Sequence, residues 1–316
     1  MDVYLNGRMV PQDEAVIGVI DAGFQHAVGL FETLAVRNGR AFRAPAHVQR
    51  LVGSARELGM AQAVDGQRLL EAIATTVAHN AVTEARLRLT VTPGAISMLA
   101  RGGQQRQDDA EQPPPPPQAT ILAVASPPTV YDPRYFQEGI TATVQAQAAN
   151  PFDPTSGHKT LAYWPRLLRL RQAARLGAGE VIHLTITNHL AGGAVSNLFL
   201  VRDGAVLTPP ARGEEESGAL PSPVLPGITR QAVLELAEAR GIRTERRTMT
   251  IDDLLDADEV FLTNASWHIL PVTKVEKKPI ADGRVGPITT ALREALLELI
   301  EQETAGDAPD GAGPQV

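Results

Sequence analysis

Hydrophobic and polar positions alternate along VYLNGRMV with a period of two, which predicts two short strands, and the Asn6-Gly7 step between them suits a tight hairpin turn. The segment LFETLAVRNGRAFR repeats the pattern around Asn38-Gly39. From Pro45 the apolar spacing lengthens to that of a helix face in AHVQRLVGSARELG: the fixed φ of proline suits a first helical turn, and Gly59 is placed to end the element. Residues 66–80 form a second amphipathic helix, and RLRLTVTPG and ATILAVAS return to the strand period. Between those two strands lies RGGQQRQDDAEQPPPPPQ. Its run of prolines cannot continue a helix or an inner strand, so residues 101–118 are expected as an exposed extended loop, with a recognition segment for a proline-binding partner as the alternative.

These elements make residues 1–126 a small α+β domain, followed by a connector, PPTVYDPRYFQEG, at 127–139. Residues 140–303 are expected as a larger domain that opens with the alternating run ITATVQAQA. It continues with a helix over 164–176, the strands VIHLTITN and NLFLVRDGAVL, the helix RQAVLELAEARG, the strand EVFLTNAS and a terminal helix in TALREALLELIEQE. The tail, 304–316, is rich in glycine, proline, alanine and aspartate and buries too little area to offset its ordering entropy, so it is expected to be disordered. No fixed-period repeat interrupts this order.

The length of 316 residues accommodates about two domains and 43% hydrophobic residues supply a core. The net charge of −7, with scattered basic residues, disfavours a nucleic-acid partner, which needs a dense phosphate-contacting surface. With no cysteine, disulfides, thiolate nucleophiles and thiolate-bound zinc are excluded. The first residues carry acidic groups rather than a basic, apolar leader, and no stretch reaches about 18 uninterrupted apolar residues, so no membrane partner is expected and the cytoplasm is the default location.

Lys159 is the foremost chemical candidate. It follows the turn-rich PFDPTSGH and precedes a helix, a junction able to present its amine to a pocket; by itself the position fits a solvent-facing lysine better. An enclosed amine loses its proton more readily and can form a Schiff base, and a pyridoxal phosphate there would need phosphate donors, a partner for its ring oxygen and control of its ring nitrogen. LPGITRQAVLELA offers such donors, because Pro226 and Gly227 shape a turn and Ile228 and Thr229 stand at a helix start, although an ordinary cap explains Thr229 as well. Arg50 is either a phosphate-binding cation or a surface arginine. Arg86 and Arg88 fall on one strand face, where they can bind a carboxylate or be solvated, and Trp267 and His268 follow EVFLTNAS as pocket candidates. The acidic run IDDLLDADE fits helix capping better than metal binding, and no histidine pair has metal spacing.

VYLNG, DAGFQHAVGLFET, HVQRLVGSARELG, HKTLAY, VSNLFLVRDG, LPGITR and DADEVFLTNAS occur in an order in which the chain resembles the class IV aminotransferases, the fold-type IV pyridoxal-phosphate enzymes, from Val3 to about Glu294. The resemblance implies a two-domain α+β fold, with a small α+β domain and a larger domain around a barrel-like sheet, paired as a homodimer with the site at the domain cleft. It implies pyridoxal 5'-phosphate as cofactor and a small amino substrate bearing a carboxylate. Lys159 would form the Schiff base and shuttle the substrate α-proton, Tyr163 would bond the phenolic oxygen, and Arg50, Gly227, Ile228 and Thr229 would surround the phosphate. Asn264 and Ala265 would add backbone contacts, Phe31 would face the substrate, and His26 lies in the segment that would face the substrate cleft across the dimer, with domain packing as its other role.

Two positions depart from the family. Gly192 stands where a glutamate commonly pairs with the pyridine nitrogen, and Ala265 where a phosphate-binding hydroxyl is common, with Thr263 and Ser266 on either side; His189 is a speculative substitute for the missing carboxylate. LFET and FLTN look most similar to aminodeoxychorismate lyases. The expected reaction is therefore conversion of 4-amino-4-deoxychorismate to 4-aminobenzoate and pyruvate, for which the lost carboxylate at Gly192 is mildly favourable. A branched-chain or D-amino-acid transaminase is the alternative, and a cofactor-binding protein with degenerate activity is a third reading.

Overall fold

The computed structural model describes residues 1–96 and 119–306; the proline-rich segment and the end of the tail lie outside the described residues. Strands β1 (Asp2–Leu5) and β2 (Arg8–Pro11) form the first hairpin, with Asn6 and Gly7 both at positive φ as a tight turn requires. The short helix α1 (Ala22–His26) leads to β3 (Leu30–Arg37), which turns through Asn38-Gly39 into β4 (Arg40–Ala41). Helices α2 (Ala44–Glu57) and α3 (Gly66–His79) precede β5 (Ala85–Thr92) and β6 (Thr120–Ser126). These six strands pair in the order β2-β1-β6-β5-β3-β4, all antiparallel. The core of this unit joins Leu51 and Ala55 of α2 and Leu69 and Ile73 of α3 to Leu34, Leu87 and Leu89 of the sheet. Each fully buried leucine contributes about 1.5–3 kcal/mol.

The short helix α4 (Arg134–Gln137) lies within the connector. The second sheet contains β7 (Ile140–Ala149), β8 (Glu180–Thr185), β9 (Leu190–Gly193), β10 (Asn197–Arg202), β11 (Ala205–Thr208), β12 (Thr244–Arg246), β13 (Glu259–Asn264), β14 (His268–Val275) and β15 (Lys278–Pro279). Its order is β12-β11-β10-β13-β14-β7-β8-β9, with β15 on β14. β9 closes one end of that path, yet only residues 194–196 connect it to β10 near the other end. So short a link holds the two regions together and curls the sheet into a half-barrel, the two-domain α+β architecture expected from the sequence.

Four further helices complete the unit: α5 (Trp164–Arg175), α6 (Ile228–Ala239), the capped α7 (Ile251–Leu255) and α8 (Pro287–Thr304). α6 and α8 cover one sheet face through Val233, Leu292 and Leu296, packed on the stacked rings of Phe199 and Phe261. The acidic run behaves as expected in part: Thr250 and Asp253 form a reciprocal capping box at α7. Among the described residues no helix is long and apolar enough to cross a membrane.

Candidate active site

Lys159 is fixed by backbone pairing with the other sheet. Phe31 N donates to Lys159 O at 2.9 Å, Leu161 N donates to Gly29 O at 3.0 Å, and Leu30 bridges Thr160. Gly29 permits this approach, since a β-carbon there would stand 2.6 Å from Leu161 Cδ1 and 2.7 Å from Val91 O. The lysine thereby spans the junction between the small sheet and α5 and projects into a cavity of about 540 Å³.

The residue is half-buried because its side chain opens onto that cavity, while the amine sits deep in the protein. Desolvation pushes it down to about 7, opposed by the charge of Glu32 and assisted by Arg50, Arg88 and Arg166. Its Nζ lies 4.2 Å from the Phe31 ring centroid, and the Arg88 guanidinium lies 3.8 Å from the same centroid. Tyr163 meets Phe31 edge-on at 5.1 Å, and burial raises its hydroxyl pKa despite the nearby arginines, which keeps the phenol protonated.

One wall is anchored by a buried charge cluster. Arg50 donates from Nε and Nη2 to Glu32 at 2.9 and 2.5 Å and from Nη1 to the Pro226 carbonyl at 2.8 Å, while His47 Nδ1 lies 2.7 Å from Glu32. Burial alone would raise the Glu32 carboxyl, but Arg50 and His47 together hold it down at about 2. The Arg50–Pro226 bond ties α2 to the turn that starts α6. That helix is capped by Gly227 without a side-chain hydrogen bond, so its first N–H groups face the same end of the cavity as an anion-binding terminus. Gly227 is required here: a β-carbon would fall 2.0 Å from Asn197 Oδ1.

Lys159, Tyr163, Arg50, Gly227, Ile228, Thr229, Asn264 and Ala265 all line this cavity, as do Phe31, Arg86, Arg88, Trp267 and Gly192. Two candidates do not. His26 is exposed at the end of α1, and His268 is buried outside the cavity wall, where desolvation, with Arg37 and Arg293, lowers its pKa to about 4. His189 is also outside, bonded to Thr187 at 2.9 Å. At the Ala265 turn, Asn264 Oδ1 accepts from the backbone N–H groups of Ser266 and Trp267.

Residues that sequence patterning does not single out complete the wall: Arg166, whose Nη1 donates to Ala194 O at 3.1 Å, His183, Asn197 and His47, with Glu32 buried behind Arg50 and His47 as their support. LFETLAVRNG reads as a strand, and nothing in that period marks Glu32 as the partner of an arginine eighteen positions later. Among the described residues no aspartate or glutamate lines the cavity, although Arg50, Arg86, Arg88, Arg166 and Lys159 do. Four buried polar atoms of wall residues, His158 Nε2, His183 Nε2, Thr263 Oγ1 and Trp267 Nε1, have no hydrogen-bond partner, and of these His158 alone has a carboxylate nearby, Glu57 at 3.7 Å. Such atoms are costly unless a ligand completes them.

The family model for amino-transferase class IV matches residues 29–275. The putative branched-chain-amino-acid aminotransferase of Methanocaldococcus jannaschii is 29% identical over 95% of this chain and 96% of its own, and the D-alanine aminotransferase of Listeria monocytogenes is 27% identical over the same shares. Among solved structures, the branched-chain amino acid aminotransferase of Escherichia coli superposes with a TM-score of 0.83 at 28% identity, covering 96% of both chains. A hypothetical aminotransferase from Mycobacterium tuberculosis, in a form with alpha-ketoglutarate and PMP bound, gives 0.79 at 25% identity, covering 96% of this chain and 100% of that one.

These relatives overturn the expectation of an aminodeoxychorismate lyase, and the structure gives the reason. LFET supplies Glu32, the buried anchor of Arg50, and FLTN runs from the sheet core at Phe261 and Leu262 into the Asn264 turn. Both strings report scaffold and cavity support, which different reactions share, and neither marks elimination. The resemblance to the lyase branch, and the weight given to Gly192 in its favour, fall together. The match over residues 29–275 places the chain in the class IV amino-transferase family.

Proposed function

We propose that the protein is a pyridoxal-phosphate-dependent aminotransferase acting on a small amino acid of the branched-chain or D-amino-acid type. The observation that carries this reading is the Lys159 amine, held near neutral at about 7 in a cavity that ends at a helix N-terminus without a side-chain cap. The pyridoxamine 5'-phosphate bound by solved neighbours, the arginine-lined wall, the Gly227 turn that a β-carbon would fill and the unpartnered buried atoms support the fit.

When bound, the pyridoxal ring supplies an electron sink that makes the substrate α-hydrogen acidic. Lys159 would hold the cofactor covalently and, once displaced by the substrate amine, move the α-proton at Nζ; an amine with a pKa of about 7 accepts and returns a proton readily at neutral pH. The backbone N–H groups of Ile228 and Thr229 and the Thr229 hydroxyl would hold the phosphate, with the Arg50 charge oriented by Glu32. Tyr163 would donate to the phenolic oxygen. Arg86 and Arg88 would take the substrate carboxylate, and Phe31, under the Arg88 guanidinium, would exclude water beside Lys159.

The same reading pairs the chain with a second copy. Val16, Val19, Ile20 and Phe24, more than 60% exposed, form an apolar stretch that runs into α1 and ends next to His26. Purified protein supplied with L-leucine, L-valine or D-alanine and a 2-oxo acid is expected to release one new amino acid per donor consumed. Cofactor uptake without amino transfer from any donor would overturn the proposal.

A further inference from the structure

On strand β9, Gly192 pairs directly with His183 of β8, so the two positions share one face of the sheet. Gly192 contributes no side chain to that face. The imidazole beside it is 3% exposed, lines the cavity, and has its Nε2 buried without a partner. The nearby carboxylate is occupied elsewhere: Glu180 accepts from the N–H groups of Ala194 and Val195 and from Ser196 Oγ at 3.0 Å, behind the wall.

The charge of the cavity bears on what that imidazole can meet. Four arginines and Lys159 line it; Glu32, behind the wall, offsets Arg50, but among the described residues no carboxylate lines the cavity itself, a field that favours anions and disfavours any further proton on a ligand. His183 itself is kept neutral by burial and by Arg166 and Arg169, which lower its pKa to about 3. A neutral imidazole has one N–H to donate. In pyridoxal phosphate the ring nitrogen is para to the aldehyde carbon, so its protein partner must stand across the ring from the lysine. Lys159 enters from the segment bridged to β3, and His183 stands on the curled sheet.

We propose that His183 is the partner of the cofactor's ring nitrogen, donating an imidazole N–H to that nitrogen in its unprotonated form. His183 thereby occupies the face left open by Gly192, and the ring is a weaker electron sink than one paired with a carboxylate. The inference rests on the aminotransferase reading only for the identity of the cofactor.

Holoenzyme reconstituted with pyridoxal phosphate carrying 15N in the ring tests it by NMR, alongside cofactor titration by absorbance. The wild type is expected to give an unprotonated pyridine signal. His183→Leu is expected to shift that signal and weaken cofactor binding about tenfold, the scale of one hydrogen bond. His183→Gln, which retains an amide donor, should recover part of both effects and supplies the readout if the leucine variant does not fold. In His183→Ala, adding Gly192→Glu should convert the signal to that of a protonated ring. A protonated ring in the wild type, or a signal that moves with Arg166→Gln and not with any His183 variant, would overturn the inference while cofactor uptake leaves the broader reading standing. A wild type that binds no pyridoxal phosphate would overturn both.

Discussion

The cavity has two ends built in opposite ways. At the end formed by α2 and the start of α6, every strong charge already has a partner: Glu32 is held by Arg50 and His47, and Arg50 also reaches the Pro226 carbonyl. At the end formed by β8, β9 and the turn after β13, the polar atoms of His183, Thr263 and Trp267 are buried without partners. The first end is organised before any ligand arrives, so it can orient an anion at little reorganisation cost. The second is completed only by what it binds. Lys159 stands between them, fastened through its backbone to β3 and followed by α5, which packs on β8 of the curled sheet.

The sharpest way to break this contrast is at the prewired end. Glu32→Gln leaves Arg50 without its buried counter-charge and is expected to lower stability by about 3–5 kcal/mol, with a clear loss of cofactor affinity, measured by denaturant unfolding and titration. Its pH signature follows from a carboxyl held at about 2 against an ordinary 4.5. Because the folded state depresses this group, its stabilisation is fully present above about 4.5 and is lost as pH falls toward 2. The wild-type unfolding free energy should therefore drop across that window more steeply than that of Glu32→Gln.

Arg88→Ala removes a cation from the lysine side without disturbing the Glu32 cluster. It should reduce kcat/KM for the amino acid by about 10–100-fold, the range of one charge-assisted hydrogen bond, with a smaller change in cofactor affinity. Equal kcat/KM in variant and wild type would remove Arg88 from the carboxylate site. Gly29→Ala probes the fastening of Lys159 itself. The close approach of Leu161 and the Val91 carbonyl predicts about 1–3 kcal/mol of destabilisation, read as a lower unfolding midpoint. No change would mean that the 159–161 segment shifts freely.

How much of this was legible in the chain depends on the range of the interaction. The Asn-Gly turns, α2, α3 and the alternating strands are written in local periodicity, and the ordered motifs were enough to reach the two-domain architecture and the cofactor class. β14 was not separated from its surroundings, because HILPVTKV is almost wholly buried and carries Pro271, which argues against an inner strand. The role of Glu32 was hidden because an alternating strand does not disclose which buried residue carries a charge partner. His183 was hidden for a stricter reason: its relation to Gly192 exists only through the β8–β9 register, which no nearby spacing encodes. Reaction type is the least legible property, since LFET and FLTN encode the Arg50 anchor and the Asn264 turn rather than a choice of reaction.

The central claim is that one amine, Lys159, is the group that takes the cofactor. The sequence makes the test unusually clean, for the other lysines are Lys274, Lys277 and Lys278, all exposed on or beside the β14–β15 hairpin. Borohydride reduction of the holoenzyme followed by peptide mass mapping should place a single phosphopyridoxyl group on Lys159 and none on the other three. A modification confined to the hairpin lysines, or none at all on Lys159 in protein saturated with pyridoxal phosphate, would contradict the account.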